Sequence, residues 1–375
     1  MKKTVVVIVG PTAVGKTKLS IDMAKKFNGE IISGDSMQVY RGMNIGTAKI
    51  TEEEMMGIPH HMIDIKEPDE EFSVAEFKTL VQKHIDEISN KGKLPIIVGG
   101  SGLYIQGALY NYHFSDRKRS QEITKKLEKE LEEKGNDYLY NRLKEIDPNQ
   151  AKKIHPNNYR RVIRALEVYE LTGKTMTAYH QAQNNTPLYQ IIYIGLEMDR
   201  ELLYNQINRR VDLMLEEGLE EEVYALYKQG FKNCQSMKAI GYKEFISYFE
   251  NKQPLERSIE LLKRNSRRYA KRQMTWFKNK MNVNWYIMNP KQPATSFKNI
   301  LEVSSYLLKI FNFSSENCAN DSLTGNPSLA YSIAGAKHSA NDNLPNRLCA
   351  SYQPSTAPGT VIAALIPLLS IKSCC

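Results

Sequence analysis

An α/β fold, with a parallel sheet flanked by helices, is what this sequence predicts, on three observations. Short apolar or β-branched runs, such as Thr4 to Val9 and Leu94 to Val98, read as buried strands. Amphipathic stretches at helical spacing lie between them. The first run passes straight into Gly10-Pro11-Thr12-Ala13-Val14-Gly15-Lys16-Thr17, which fits G-x-x-x-x-G-K-[ST] at every fixed position. Lys18 to Phe27 then carries apolar residues at Leu19, Ile21, Met23, Ala24 and Phe27, as a helix packed on a sheet would. Strand, glycine-rich loop and helix in this order predict a P-loop NTPase-like core.

The chemistry of that first unit follows from its backbone. Gly10 and Gly15 let the loop curl so that its N–H groups point inward, and the helix behind it adds its positive end. The result is a nest for a phosphate or diphosphate. Lys16 would place an ammonium on the distal oxygens. Thr17 would offer its hydroxyl to Mg²⁺, an ion that keeps most of its own waters. The motif specifies phosphate but not its carrier, so a nucleotide such as ATP is one candidate ligand.

The next elements follow in order. Ile31 to Asp35 reads as a second strand ending in a carboxylate, and a polar loop, DSMQVYRGMNIGTAK, runs from Asp35 to Lys49. The carboxyl ends of strands face the ligand crevice in an open α/β sheet. Asp35 is therefore a candidate general base or water-mediated Mg²⁺ holder; a turn-forming or helix-capping Asp is the plainer alternative. Ile58 to Ile65 reads as a short strand. Its adjacent His60 and His61 point to opposite faces and do not readily share one ion. Ser73 to Lys91 is a capped amphipathic helix. The strand at Lys93 to Val98 ends in GGSGLY, where Ser101 could bind a phosphate or a nucleotide.

Composition changes after His113. A charged, helix-forming stretch follows, and in Asn158 to Leu171 the apolar stripe Val162, Leu166, Tyr169 leaves Arg160, Arg161 and Arg164 largely off it. The sheet resumes at Tyr189 to Leu196. Helices are expected over Glu201 to Glu217, Leu219 to Lys228 and Leu255 to Lys280, with a last strand near Trp285 and a last helix over Phe297 to Phe311. In the long helix, Leu262, Tyr269 and Trp276 form a stripe among Arg264, Arg267, Arg268, Lys271 and Arg272, which suits contact with a phosphate backbone. The expected organisation is a P-loop catalytic core at 1–114 and 188–311, a helical insertion at 115–187, and a disordered or atypical tail at 312–375.

The 375 residues carry a formal net charge of +9, which points to a polyanionic partner, with RNA or DNA foremost. The first strand begins at once, leaving no room for a signal peptide, and no apolar run is long enough to span a bilayer. The five cysteines show no metal-ligand spacing, and Cys234 alone lies outside the tail. A cytoplasmic protein without structural disulfides or zinc is expected.

Seven stretches occur in order: GPTAVGKT, DSMQVYRGMNIGTAK, IPHHMIDI, GGSGLY, HPNNYRRVIRALEVYELTGK, AIGYKE and RRYAKRQMTWF. Together they resemble the bacterial tRNA dimethylallyltransferases, the isopentenyl-tRNA transferases of the IPP transferase family. The resemblance runs from about Thr4 to about Phe311. The tail after Ser314 has no counterpart in the usual bacterial pattern and lacks the zinc-finger spacing that eukaryotic members can carry.

The resemblance implies transfer of a dimethylallyl group from dimethylallyl diphosphate to N6 of adenosine 37, in tRNAs reading codons that begin with U. The nest of Gly10, Pro11, Thr12, Ala13, Val14, Gly15, Lys16 and Thr17 would hold the diphosphate, with Mg²⁺ on Thr17. By the same resemblance Asp35 would be the base toward the N6 amine, Ser101 would lie near the target nucleotide, and Arg210 would help with the diphosphate. Asp35, Ser36, Met37, Gln38 and Ser101, with Arg160, Arg161 and Arg164 of the insertion, would touch the anticodon stem-loop. The base must leave its stack to reach Asp35, as in base flipping. A monomer is expected. The rival reading is a P-loop small-molecule kinase or NTPase, against which the DSMQVYRGM loop stands.

Overall fold

The computed structural model describes residues 2–112, 120–181 and 186–310. The expected tail at 312–375 lies outside them. In chain order the elements are β1 (Thr4–Val9), α1 (Lys16–Phe27), β2 (Gly29–Ser33), α2 (Glu52–Met55), β3 (His60–His61), α3 (Val74–Asn90), β4 (Leu94–Gly99) and α4 (Gly102–Leu109). Then come α5 (Gln121–Ile146), α6 (Pro148–Ala151), α7 (Tyr159–Thr172) and α8 (Met176–Gln181). The chain closes with β5 (Gln190–Glu197), α9 (Arg200–Glu216), α10 (Leu219–Lys228), α11 (Ile246–Phe249), α12 (Leu255–Lys280), β6 (Asn284–Ile287) and α13 (Pro293–Ile310).

The strands form one six-stranded sheet in the order β3-β2-β4-β1-β5-β6. Every pairing is parallel. β1 is central and Val5 to Val9 are fully buried. Successive strand side chains point to opposite faces, and each face has its own core. Val5, Val7 and Val9 join the cluster built from α3, α4, α10 and α12; Val6 and Ile8 join the one built from α1, α9 and α13. Chain order reverses about β1, so the crevice beyond its carboxyl end is the switch point where such sheets bind ligands.

Helices α5 to α7 carry a third apolar cluster of their own, centred on Leu127, Leu143, Ile163 and Leu166. Tyr169, expected on the stripe of α7, is exposed instead. α5 is interrupted at Gly135, whose φ of 80° and ψ of 174° are non-helical.

Two elements are shorter than the sequence suggests. Of the run Ile58 to Ile65, only His60 and His61 pair as a strand, because Met62 (φ 66°) and Asp64 (φ 52°) turn left-handed. The two imidazoles diverge, as strand alternation requires: His60 Nδ1 lies 2.8 Å from the Ile58 carbonyl, and His61 Nε2 2.8 Å from Glu30 Oε2. β2 stops at Ser33, which leaves Asp35 on the loop rather than on the strand. Among the described residues no helix is long and apolar enough to cross a membrane.

Candidate active site

The site begins where β1 ends. Gly10 takes φ 150°, and a Cβ there would lie 2.5 Å from the Leu196 carbonyl oxygen of β5, so the turn admits only glycine. Ala13 (φ 66°) and Gly15 (φ 98°) complete the curl into α1. The Lys16 ammonium donates to the carbonyls of Gly10 (3.0 Å) and Pro11 (2.7 Å), closing the loop on itself. Thr17 lies exposed in the first turn of α1.

Two further charges converge on the loop. Arg210, on the inner face of α9, donates to Thr12 Oγ1 at 3.1 Å. Asp35 accepts the Met37 N–H at 2.8 Å on Oδ1. Burial, and then the neighbouring Arg210, bring the Lys16 pKa down to about 7, while Asp35 works the other way. Burial pushes the Asp35 carboxyl above the usual range; the Met37 N–H, Lys16 and Arg210 oppose it. A carboxyl with its pKa raised beside a lysine with its pKa lowered forms a pair fit for proton transfer and anion binding.

The second glycine cluster packs against this centre. Ser101 Oγ accepts the Ser36 N–H at 3.2 Å and lies 3.4 Å from Ser36 Oγ. Gln273, buried on α12, ties the two loops together. Its Oε1 accepts the Thr12 N–H at 3.0 Å and its Nε2 donates to the Gly100 carbonyl at 3.2 Å. A Cβ at position 100 would lie 1.8 Å from that nitrogen, so a side chain there would displace the Gln273 amide from these bonds.

These groups open on a cavity of about 300 Å³. Thr12, Asp35 and Arg210 form its polar end; Ile207, Val211, Met214, Ala239, Ile240 and Leu262 form an apolar wall; Thr47, Lys238, Ser266, Tyr269 and Arg272 also line it. α9 supplies Ile207, Arg210, Val211 and Met214 because residues spaced three and four apart share a helix face. Such a cavity can hold an anion at its polar end, next to the Asp35 carboxylate, and a small apolar group along its wall.

The residues singled out in the sequence separate into two groups. Thr12, Asp35, Ser36, Met37 and Arg210 line the cavity, and Ser101 stands against Ser36; of the loop from Gly10 to Thr17, the other residues do not line it. Gln38 lies beside it, but its amide is engaged within the loop: Oε1 accepts from Ser33 Oγ at 2.8 Å, and Nε2 donates to the carbonyls of Thr47 and Ala48, both at 3.3 Å. Arg160, Arg161 and Arg164 line none of it. They lie on α7, where Arg160 and Arg161 are exposed and Arg164 pairs with the fully buried Glu167 at 2.9 Å.

Sequence reasoning missed Gln273; it read Tyr269 as part of a packing stripe and Arg272 as one of the surrounding cations suited to a phosphate backbone, and placed neither at this cavity. The available signal was an uncharged polar residue on the buried face of α12, in step with Leu262, Ala270 and Phe277. Among the described residues no group of three or more His, Cys, Asp or Glu side chains could hold a metal ion. The donor set therefore fits Mg²⁺ as it rides on a phosphate ligand, with one protein hydroxyl, and does not fit an all-protein cage.

Comparison with known proteins gives one consistent result. A family model described as IPP transferase matches residues 38–280. The chain is 63% identical over 290 residues to the tRNA dimethylallyltransferase of Oceanobacillus iheyensis, covering 77% of this chain and 93% of that one. It is 59% identical over 293 residues to the enzyme of that name from Bacillus pumilus, covering 77% and 92%. It is similar in structure to a tRNA isopentenylpyrophosphate transferase from Bacillus halodurans, with a TM-score of 0.60 at 50% identity over 82% of this chain and 100% of that one. A eukaryotic dimethylallyltransferase acting on tRNA matches with a TM-score of 0.71 at 32% identity, over 91% and 87%. With more than half of its length matched by the family model and relatives at this identity, the chain belongs to the IPP transferase family.

Proposed function

We propose that this protein is a tRNA dimethylallyltransferase, which moves a dimethylallyl group from dimethylallyl diphosphate to N6 of adenosine 37. The observation that carries the reading is one cavity in which an anion-binding end, Thr12 of the P-loop with Arg210, meets the Asp35 carboxylate and an apolar wall. A nucleotide kinase needs the first two; a prenyl donor uses all three.

In this reading the diphosphate lies on the loop N–H groups, with Lys16 and Arg210 beside it, and the dimethylallyl chain lies on the α9 wall. The allylic C–O bond breaks and its electron pair leaves with the diphosphate. The adenine N6 forms the new C–N bond, and its displaced proton goes to Asp35. Fixed positive charge acts most strongly where it is shielded from water, so Lys16 and Arg210 stabilise the leaving group as charge builds on it. A donor-bound Mg²⁺, with Thr17 as its protein hydroxyl, would supply further Lewis-acid stabilisation of the diphosphate. Ser101 and Ser36 flank Asp35 on the side where the base is received. Arg160 and Arg161 present charge to the stem-loop phosphates from α7.

The test is a transfer assay with Mg²⁺, labelled dimethylallyl diphosphate and an unmodified anticodon stem-loop, run beside a tube containing ATP. Label at adenosine 37 is the expected result. Phosphate released from ATP, with none of the label in RNA, would return the P-loop to nucleotide chemistry.

A further inference from the structure

Glu222 stands in the first turn of α10, where acidic residues complement the helix dipole. Its neighbour Glu220 turns outward to hydrogen-bond Tyr248. Glu222 turns inward and engages four donors. Its Oε2 accepts the backbone N–H groups of Asn44 (2.8 Å) and Ile45 (2.9 Å). Its Oε1 accepts the N–H of Gly46 (3.1 Å) and the hydroxyl of the fully buried Tyr242 (2.6 Å). Three successive backbone N–H groups around one carboxylate are a nest filled by the protein's own side chain.

The segment so held leads directly to Asp35. Gly46 and Thr47 line the cavity. The Thr47 and Ala48 carbonyls accept Gln38 Nε2, and Gln38 Oε1 accepts from Ser33 Oγ. That same Ser33 Oγ accepts the Asp35 N–H at 3.3 Å. A serine hydroxyl donates once and still accepts, so the chain is continuous from α10 to the backbone of Asp35. Chains of this kind strengthen cooperatively and hold a side chain more tightly than any one link.

We propose that Glu222 is a positioning residue for Asp35: it anchors the 44–48 segment, and through Gln38 and Ser33 sets the orientation and dryness of the carboxylate. The proposal rests on the transferase reading above and deepens it. Glu222 does not line the cavity, so its effect reaches the reaction through the segment it holds. Loosening the segment admits water to Asp35 and relieves the burial that raises its pKa. A base works when ionised, so the rate rises with pH through that pKa, and loosening moves the rise to lower pH. Lys16 and Arg210, and Tyr104 and Tyr269 from α4 and α12, also face Asp35 and stay unchanged in the variants below.

The test compares wild type, Glu222→Gln and Tyr242→Phe by steady-state transfer to the stem-loop between pH 5 and 9, with thermal melts alongside. Glu222→Gln keeps the shape but turns an amide toward N–H donors. It is expected to lose about tenfold in kcat, with KM for both substrates within about twofold and the acid limb shifted to lower pH. Tyr242→Phe removes one of the four donors and is expected to lose roughly two- to threefold in the same pattern. It carries the test alone if Glu222→Gln does not fold. A lower Tm with unchanged kcat and unchanged acid limb would overturn the proposal, as would a rise in KM for RNA alone. Wild-type transfer is the reference throughout, so failure of the transferase reading shows in the wild type and failure of the positioning role shows only in the variants.

Discussion

The P-loop end of the cavity and the exposed face of α7 both gather positive charge, and they do so under opposite conditions. Lys16 and Arg210 are half-buried beside one carboxylate, and their electrostatics are local and strong. Arg160 and Arg161 are in water, screened within about a Debye length of ~8 Å at physiological salt. The first pair can discriminate between protonation states and stabilise a leaving group. The second can only attract and orient a polyanion. Removing a charge from the first region should therefore change chemistry, and removing one from the second should change binding and its salt dependence.

The sharpest break in that comparison is Asp35→Ala. Loss of a positioned base costs typically 10²–10⁴-fold in rate, so transfer should collapse by about that factor while stem-loop binding, measured by filter retention, holds. Near wild-type transfer in Asp35→Ala would remove Asp35 from the role of base. Next comes Lys16. Its pKa of about 7 means that in the free protein it loses its proton as pH rises through neutrality. Diphosphate binding requires the ammonium, so the donor's Kd should rise above pH 7 by up to about tenfold per pH unit. Lys16→Arg, always protonated, should flatten that dependence even if it binds less tightly. A pH-independent Kd in the wild type would show that the lysine keeps its proton.

A smaller effect is expected at Gln273. Gln273→Ala frees the Thr12 N–H and the Gly100 carbonyl inside the protein, and each orphaned group costs about 1–3 kcal/mol. Tm should fall, and KM for the donor should rise more than KM for RNA, because the bond lost is to the P-loop. Equal changes in both would place the damage elsewhere.

How much of this was legible in the sequence depends on where each residue's partners lie along the chain. The P-loop was legible because its chemistry is local: the strand, glycines, lysine and helix are contiguous. The central strands were legible because both faces are buried and the runs are continuously apolar. β3 was overextended because the left-handed turns at Met62 and Asp64 have no glycine to announce them. Asp35 and Ser101 were suspected from their places at strand ends, yet their meeting through Ser36 joins residues 65 positions apart. Gln273 meets Thr12 across 261 positions, and Glu222 meets Ile45 across 177. Pairings of that range leave no periodic trace, and only the folded sheet and helices bring them together. Gln38, read from the family resemblance as a contact to tRNA, shows in the structure a second use of its amide, inside the loop.

The exposed side of the comparison is sharpened by dividing the three arginines of α7. Arg160 and Arg161 are exposed, and Arg160 leans over the Tyr159 ring at 5.9 Å. Each phosphate contact contributes somewhat under one unit to the slope of log K against log salt, so Arg160→Ala with Arg161→Ala should flatten the stem-loop slope by about one to two units. Arg164 is different in kind. Its partner Glu167 is fully buried, opens no path to solvent, and also accepts the Ser120 N–H at 3.1 Å. Arg164→Ala withdraws a charged hydrogen bond from that carboxylate, which should cost roughly 1–3 kcal/mol of stability, read as a lower Tm, and should leave the salt slope nearly unchanged. A flattened slope from Arg164→Ala alone would mean that the guanidinium serves the RNA as well as Glu167, and the division between buried chemistry and exposed attraction would then run through a single side chain.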